Sequence, residues 1–167
     1  MPSIWGYCLV ASASNNEAVE RLKTLVSVSA ATPLLVLGSD IDQLASLGLI
    51  RRYLKAYEQY WPGSVSLVIP SSNPDLEYLS TNHLGLVVCI PDEPDLVRLL
   101  SHSGPLAIYS IESKLGNLAG ALDLLKDQVD VYIDGGDLAS KQPPTVLRVV
   151  DDAVEIIRPG VVDIRDK

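Results

Sequence analysis

Apolar and polar positions along the chain change period several times, and each change marks an element. Val19, Leu22, Leu25 and Val26 recur at helical spacing, with Glu20 and Lys23 on the opposite face, which predicts an amphipathic helix running out near Val28. Ser14-Asn15-Asn16-Glu17 has the form of a capping box at its start. PLLVLG (33–38) reads as a short buried strand, and residues 40–60 read as helix in two pieces broken near Gly48. VSLVIP (65–70) is a further strand, followed by a turn and a short helix or loop at SSNPDLEY. LGLVVCI (84–90) is apolar at both parities, the mark of a strand covered on both faces.

The second half repeats this alternation. PDEPDLVRLLSHSG predicts a helix started by proline and closed at Gly104, with His102 as a cap in its last turn. PLAIYS (105–110) reads as a strand, NLAGALDLLKD (117–127) as a helix, and VDVYID (129–134) as a strand stopped by Gly135-Gly136. TVLRVVDDAVEIIR (145–158) predicts a hairpin turning at Asp151-Asp152. The expectation is one α/β (or α+β) domain over 1–167, with a mixed sheet because a hairpin is appended to crossover units.

Composition narrows the classes. A chain of 167 residues, 47% hydrophobic and 20% charged, is long enough for one real core. No apolar run approaches the roughly 20 residues of a membrane span, and MPSIWGYCLV lacks the basic flank of a signal peptide, so a cytoplasmic location is expected. Cys8 and Cys89 lie in apolar runs and read as buried free thiols, with a disulfide as the lesser alternative. With only His83 and His102 to join them, no metal-ligand spacing is present and no metal site is expected. Neither histidine has a serine or cysteine partner at a telling distance. The net charge is −8, with acidic and basic residues in balance up to residue 64 and the acidic excess beyond it. Nucleic-acid affinity rests on phosphate neutralisation. The single basic cluster, RRYLK at 51–55, reads as a solvated helix face, so the composition argues against a general nucleic-acid binder. No Walker-type loop or Rossmann glycine fingerprint is present.

Several segments, in order, resemble the YrdC-like family, whose members make threonylcarbamoyl-AMP from ATP, threonine and bicarbonate for tRNA modification. Pro2-Ser3-Ile4-Trp5-Gly6-Tyr7-Cys8-Leu9 resembles the family's Pro-Thr-x-x-x-Tyr-Gly-Leu, and Glu17-Ala-Val-Glu-Arg-Leu22 the helix that follows. Trp61-Pro62-Gly63-Ser64-Val65-Ser66-Leu67 is similar to Trp-Pro-Gly-Pro-Leu-Thr-Leu. Val88-Cys89-Ile90-Pro91-Asp92-Glu93-Pro94 is similar to Val-Arg-Ile-Pro-Asp-His-Pro. Gly104-Pro105-Leu106, Asp134-Gly135-Gly136, Pro144-Thr145-Val146 and Ile157-Arg158-Pro159-Gly160 resemble the closing segments. The resemblance covers nearly the whole chain and implies a YrdC-like fold.

The departures bear on function. The family's Lys-x-Arg and following Lys fall here at Val26, Val28 and Thr32. Its strand arginine falls at Cys89, and its Ser-Ala-Asn at Ser110-Ile111-Glu112, with the next serine at Lys114. A loop after a helix lies at the negative end of the dipole. A triphosphate there depends on cationic side chains, each charge-assisted hydrogen bond contributing about 1.5–3 kcal/mol. Their loss predicts ATP binding weakened by orders of magnitude. Hydroxyls persist at Ser3, Ser66, Ser110 and Thr145, and Lys114 or Lys141 are the cations left to compensate. Arg158 reads as structural beside the Pro-Gly turn. The resemblance implies ATP with a magnesium ion, threonine, bicarbonate and tRNA as ligands, and double-stranded RNA on the concave face. Three readings stay open: an active synthase, a catalytically inactive binding or regulatory relative, and a non-catalytic RNA-binding module. The family's helix and strand before the Pro-Thr run have no counterpart here. The edge this leaves invites pairing with a second copy or a protein partner.

Overall fold

In the computed structural model of the protein, the described residues are 1–3, 6–25, 34–71, 73–80, 85–110, 118–136, 143–150 and 153–164. Eight strands form one sheet: β1 (Pro2–Ser3), β2 (Gly6–Ser12), β3 (Leu35–Leu37), β4 (Val65–Ile69), β5 (Leu86–Cys89), β6 (Leu106–Ser110), β7 (Thr145–Val150) and β8 (Ala153–Arg158). Their order is β1-β2-β6-β3-β5-β4-β7-β8. The β3–β5 and β4–β7 pairs are parallel and the others antiparallel, so the sheet is mixed as expected. The strand with apolar residues at both parities, β5, sits between β3 and β4 near the middle.

Helices cover both faces. The helices α1 (Asn16–Leu25), α2 (Ile41–Ala45) and α3 (Arg51–Ala56) pack Val19, Leu22, Leu44 and Leu54 against Val36, Leu67, Val88 and Leu147 on one side. On the other side α4 (Pro94–Ser103) lays Leu96 and Leu100 on Cys8, Leu37, Cys89 and Ile108. Each strand sends alternate residues to the two sides, and the clusters follow that alternation. A fifth helix, α5 (Leu118–Leu125), continues into a 3-10 turn at Lys126–Gln128. Residues 74–79 form a 3-10 helix rather than a loop. No helix among the described residues is long and apolar enough to cross a membrane.

Local chemistry explains most boundaries. The break between α2 and α3 centres on Gly48, whose φ of 90° belongs to the region glycine reaches freely. Pro94 opens α4, and Gly104 closes it by donating to the Leu100 carbonyl. His102 Nδ1 lies 2.8 Å from the Arg98 carbonyl oxygen in the last turn. The cap of α1 differs from the expected box: Asn15, not Ser14, accepts from the N–H of Ala18. Its longer side chain reaches the third helical N–H from one residue later, and Glu17 then falls inside the first turn.

The larger difference is at VDVYID. Residues 129–134 carry no strand pairing, because a strand exists only through its ladder and this segment stands off β2 across a cavity. Arg21 Nη2 donates to the Gln128 carbonyl at 2.6 Å. Beyond the segment, Tyr7 Oη donates to Gly136 O at 2.9 Å and accepts from Gly135 N–H at 3.0 Å. The turn expected at Asp151-Asp152 lies outside the described residues, and β7 and β8 pair on either side of it.

Candidate functional site

The hydroxyl positions of the closing and opening motifs do not form one cluster; the register divides them into two ends of the α4 face. At one end, Cys8 on β2 is paired with Ser110 on β6, and Ser3 Oγ lies 3.2 Å from Cys8 Sγ while donating to Gly6 O at 2.9 Å. Ser110 Oγ is buried with no hydrogen-bond partner among the described residues. Cys8 stands where the YrdC-like pattern has glycine, so a thiol fills the space between two hydroxyl positions.

At the other end, Ser66 on β4 neighbours Val146 on β7. Its side chain points away from the cluster that holds Val65 and Leu67, toward α4. Ser66 is 1% exposed, and apart from a contact with the Cys89 thiol its Oγ lacks a hydrogen-bond partner among the described residues. Beside it is Cys89, fully buried under α4, whose thiol donates to Gly63 O at 3.3 Å. Burial pushes the Cys89 thiol far above its ordinary value. A hydrogen-bonding contact with Ser66 pulls the other way, and the Asp92 and Glu93 carboxylates add to the rise. The sequence position expected to carry a guanidinium is thus held by a neutral, closed-in thiol.

Leu37 pairs with both Leu106 and Cys89. Ser110 therefore lies four residues along and two strands across from Cys89, about 13 Å by about 10 Å. The two ends are roughly 16 Å apart on that spacing, with Leu37 and Ile108 packed under α4 between them.

Thr145 is placed elsewhere. It pairs with Val65 and so faces the opposite side. Its Oγ1 donates to Val162 O at 2.6 Å and accepts from Val162 N–H at 3.2 Å. Arg158 Nη2 donates to Pro144 O at 3.3 Å. Gly160 packs so closely that an added Cβ would lie 2.4 Å from Pro143 O, Pro144 C and Thr145 N. These motifs fasten β7 to β8. Cys8 and Cys89 are buried thiols outside any disulfide, as expected. Val26, Val28, Thr32, His83, Glu112, Lys114 and Lys141 lie outside the described residues.

The sequence reading missed Arg148. It is the one charge in TVLRVV, pairs with Val68, and so shares the side of Ser66. Its guanidinium is bound through Nε and Nη2 to Glu155 Oε2 across the hairpin. A lone arginine in an apolar strand was the available signal; its neutralisation by β8 depends on a pairing that the sequence does not state.

The Cys89 shift has a pH consequence. Above its ordinary value of 9.0 the unfolded thiol ionises while the folded one keeps its proton. The unfolded state then binds fewer protons, and stability falls as pH rises. The contribution is whole below pH 9. Urea unfolding should show a loss of about 1.4 kcal/mol per pH unit above it, and Cys89→Val should remove that component of the slope.

One curled mixed sheet with helices on both faces defines an α/β protein of the YrdC-like kind. The chain belongs to the Sua5/YciO/YrdC family, whose model, described as telomere recombination, matches residues 1–160. It is 30% identical over 165 residues to the threonylcarbamoyl-AMP synthase of Bacillus subtilis strain 168, covering 92% of this chain and 47% of that protein. The chain thus spans about half the length of the first curated relatives it matches. Among solved structures it superposes on Escherichia coli YciO with a TM-score of 0.78 at 22% identity, over 98% of this chain and 83% of the other. It superposes equally, at TM-score 0.78 and 22% identity, on P. abyssi Sua5 complexed with L-threonine, over 99% of this chain and 51% of that one.

Proposed function

We propose that this chain, as one domain over 1–167, is a relative of the threonylcarbamoyl-AMP synthases that keeps the hydroxyl part of the ligand face. Its cationic part is lost, so ATP chemistry is weakened or absent. The observation that carries the reading is the contrast between Ser66 and Cys89. A buried hydroxyl with no partner but a thiol, a weak hydrogen-bonding group, is under-satisfied, a deficit a ligand removes by completing the hydrogen bond. Beside it, the position expected to hold a guanidinium is a buried neutral thiol. Ser3 and Ser110 are proposed as a separate hydroxyl pair at the other end of the α4 face. Val26, Val28, Thr32 and Glu112 extend the same contrast in the sequence, and Lys114 is the remaining candidate cation. Arg148, neutralised by Glu155, does not replace the missing charge. Kinship with the synthases supports a role in tRNA threonylcarbamoylation, as a binding or regulatory member.

The retained half is tested with L-threonine as the probe. A rise in unfolding temperature with threonine concentration, removed by Ser66→Ala or Ser110→Ala, is the expected result. No rise at saturating threonine contradicts it. Without ligand, Ser66→Ala should leave stability within about 1 kcal/mol of the parent or raise it, since it removes a buried hydroxyl whose contact is only a thiol; urea denaturation reads this directly.

A further inference from the structure

Residues 129–134 alternate Val129, Val131 and Ile133 with Asp130, Tyr132 and Asp134, the pattern of a strand with one face made for burial. Yet Val131 is 72% exposed and Ile133 38% exposed. Next to them is an apolar cavity of about 320 Å3, walled by Leu9, Leu22, Leu25, Ala121 and Leu125. Close-packed interiors do not ordinarily leave such space beside unburied apolar side chains.

The cavity lies between the segment itself, which lines it from Gln128 to Ile133, and a free strand edge of β2. The two-residue β1 covers only the start of β2, where Cys8 exchanges backbone hydrogen bonds with Met1. Backbone groups alternate in direction along an antiparallel strand, so Val10 aims its N–H and C=O the same way as Cys8, away from β6. No hydrogen bond among the described residues takes them up. Unpaired backbone groups on a half-covered edge seek a partner. The segment opposite is fastened on one side by Arg21 at Gln128 and on the other by Tyr7 at Gly135 and Gly136, and no backbone hydrogen bond among the described residues takes up its own backbone between them.

We propose that 129–134 is a strap with two positions. In the one seen here it stands away from β2. In the other it docks along Leu9–Ser12 as a ninth strand, with Val131 and Ile133 filling the cavity. Docking satisfies both edges at once and buries the apolar face that the alternation prescribes. The strap's position also decides whether the cavity is open, and through Tyr7 it is tied to the strand that carries Cys8 opposite Ser110. The strap has these two positions whatever the fate of ATP binding.

Amide hydrogen exchange of the whole chain, resolved by residue, tests it. Val10 should exchange at least about tenfold more slowly than its exposed edge implies. Val131→Asp, which makes the inner face unfit for burial, should speed Val10 at least about tenfold while leaving the core amide of Val36 unchanged. The milder Val131→Ser should give an intermediate rate and keeps the test sound if the aspartate variant also loosens Val36. Equal Val10 rates in the parent and in Val131→Ser, or rapid exchange of Val10 in the parent itself, overturn the proposal.

Discussion

Cys89→Arg, which installs the residue expected at that point of the family strand, should destabilise the fold by about 3–5 kcal/mol rather than create an ATP site. Cys89 has no exposed surface and lies among Leu37, Leu96, Leu100 and Ile108 under α4. A guanidinium there meets apolar side chains, and desolvating it without an anionic partner is unfavourable by several kcal/mol. Asp92 and Glu93 lie close enough to act on the thiol, but the added bulk has no room among the leucines packed on Cys89. Urea midpoints for the parent, Cys89→Arg and Cys89→Val separate the causes. The valine variant conserves size and polarity closely and should stay within about 1.5 kcal/mol of the parent. A stable arginine variant that gains nucleotide affinity would show that the α4 face remains open to charge.

Gly160→Ala carries the second large effect, at least about 3 kcal/mol, the upper range for overpacking. The three atoms an added methyl meets are backbone atoms of Pro143, Pro144 and Thr145, and these cannot rotate aside as a side chain would. They are held by the Val161 N–H to Pro143 O bond and by the two Thr145–Val162 bonds. The Ile157–Gly160 motif is therefore a clasp on the start of β7, which pairs with the strand that carries Ser66. Thermal and urea unfolding should both register the loss. Thr145→Ser, which keeps the hydroxyl, should lose far less than Thr145→Ala, because the alanine leaves the Val162 N–H and C=O without their partner.

What could be read from the sequence was local. The Pro94 start and Gly104 end of α4, the break at Gly48 and the doubly apolar β5 are each determined by nearby residues, and all appear where the pattern puts them. Pairing is not local. VDVYID has the alternation of a strand, but whether it joins a ladder depends on β2, more than a hundred residues earlier. The same holds for the site. The motifs locate Ser66, Cys89 and Ser110, but only the β3–β5–β4 and β3–β6 registers reveal that they divide between two ends of one face. Alternation within β7 sends Thr145 to the other face, where its hydroxyl serves Val162. Arg148 was visible as a lone charge, and its pairing with Glu155 emerged only with the hairpin.

The central claim is that a family fold persists here while the charges that hold triphosphate do not. The most direct measurement is a calorimetric titration of the protein with magnesium–ATP, with and without L-threonine and bicarbonate, paired with an assay for released pyrophosphate. The account predicts no binding at micromolar ATP and no pyrophosphate above the protein-free rate. Micromolar affinity together with threonine-dependent pyrophosphate release would contradict it.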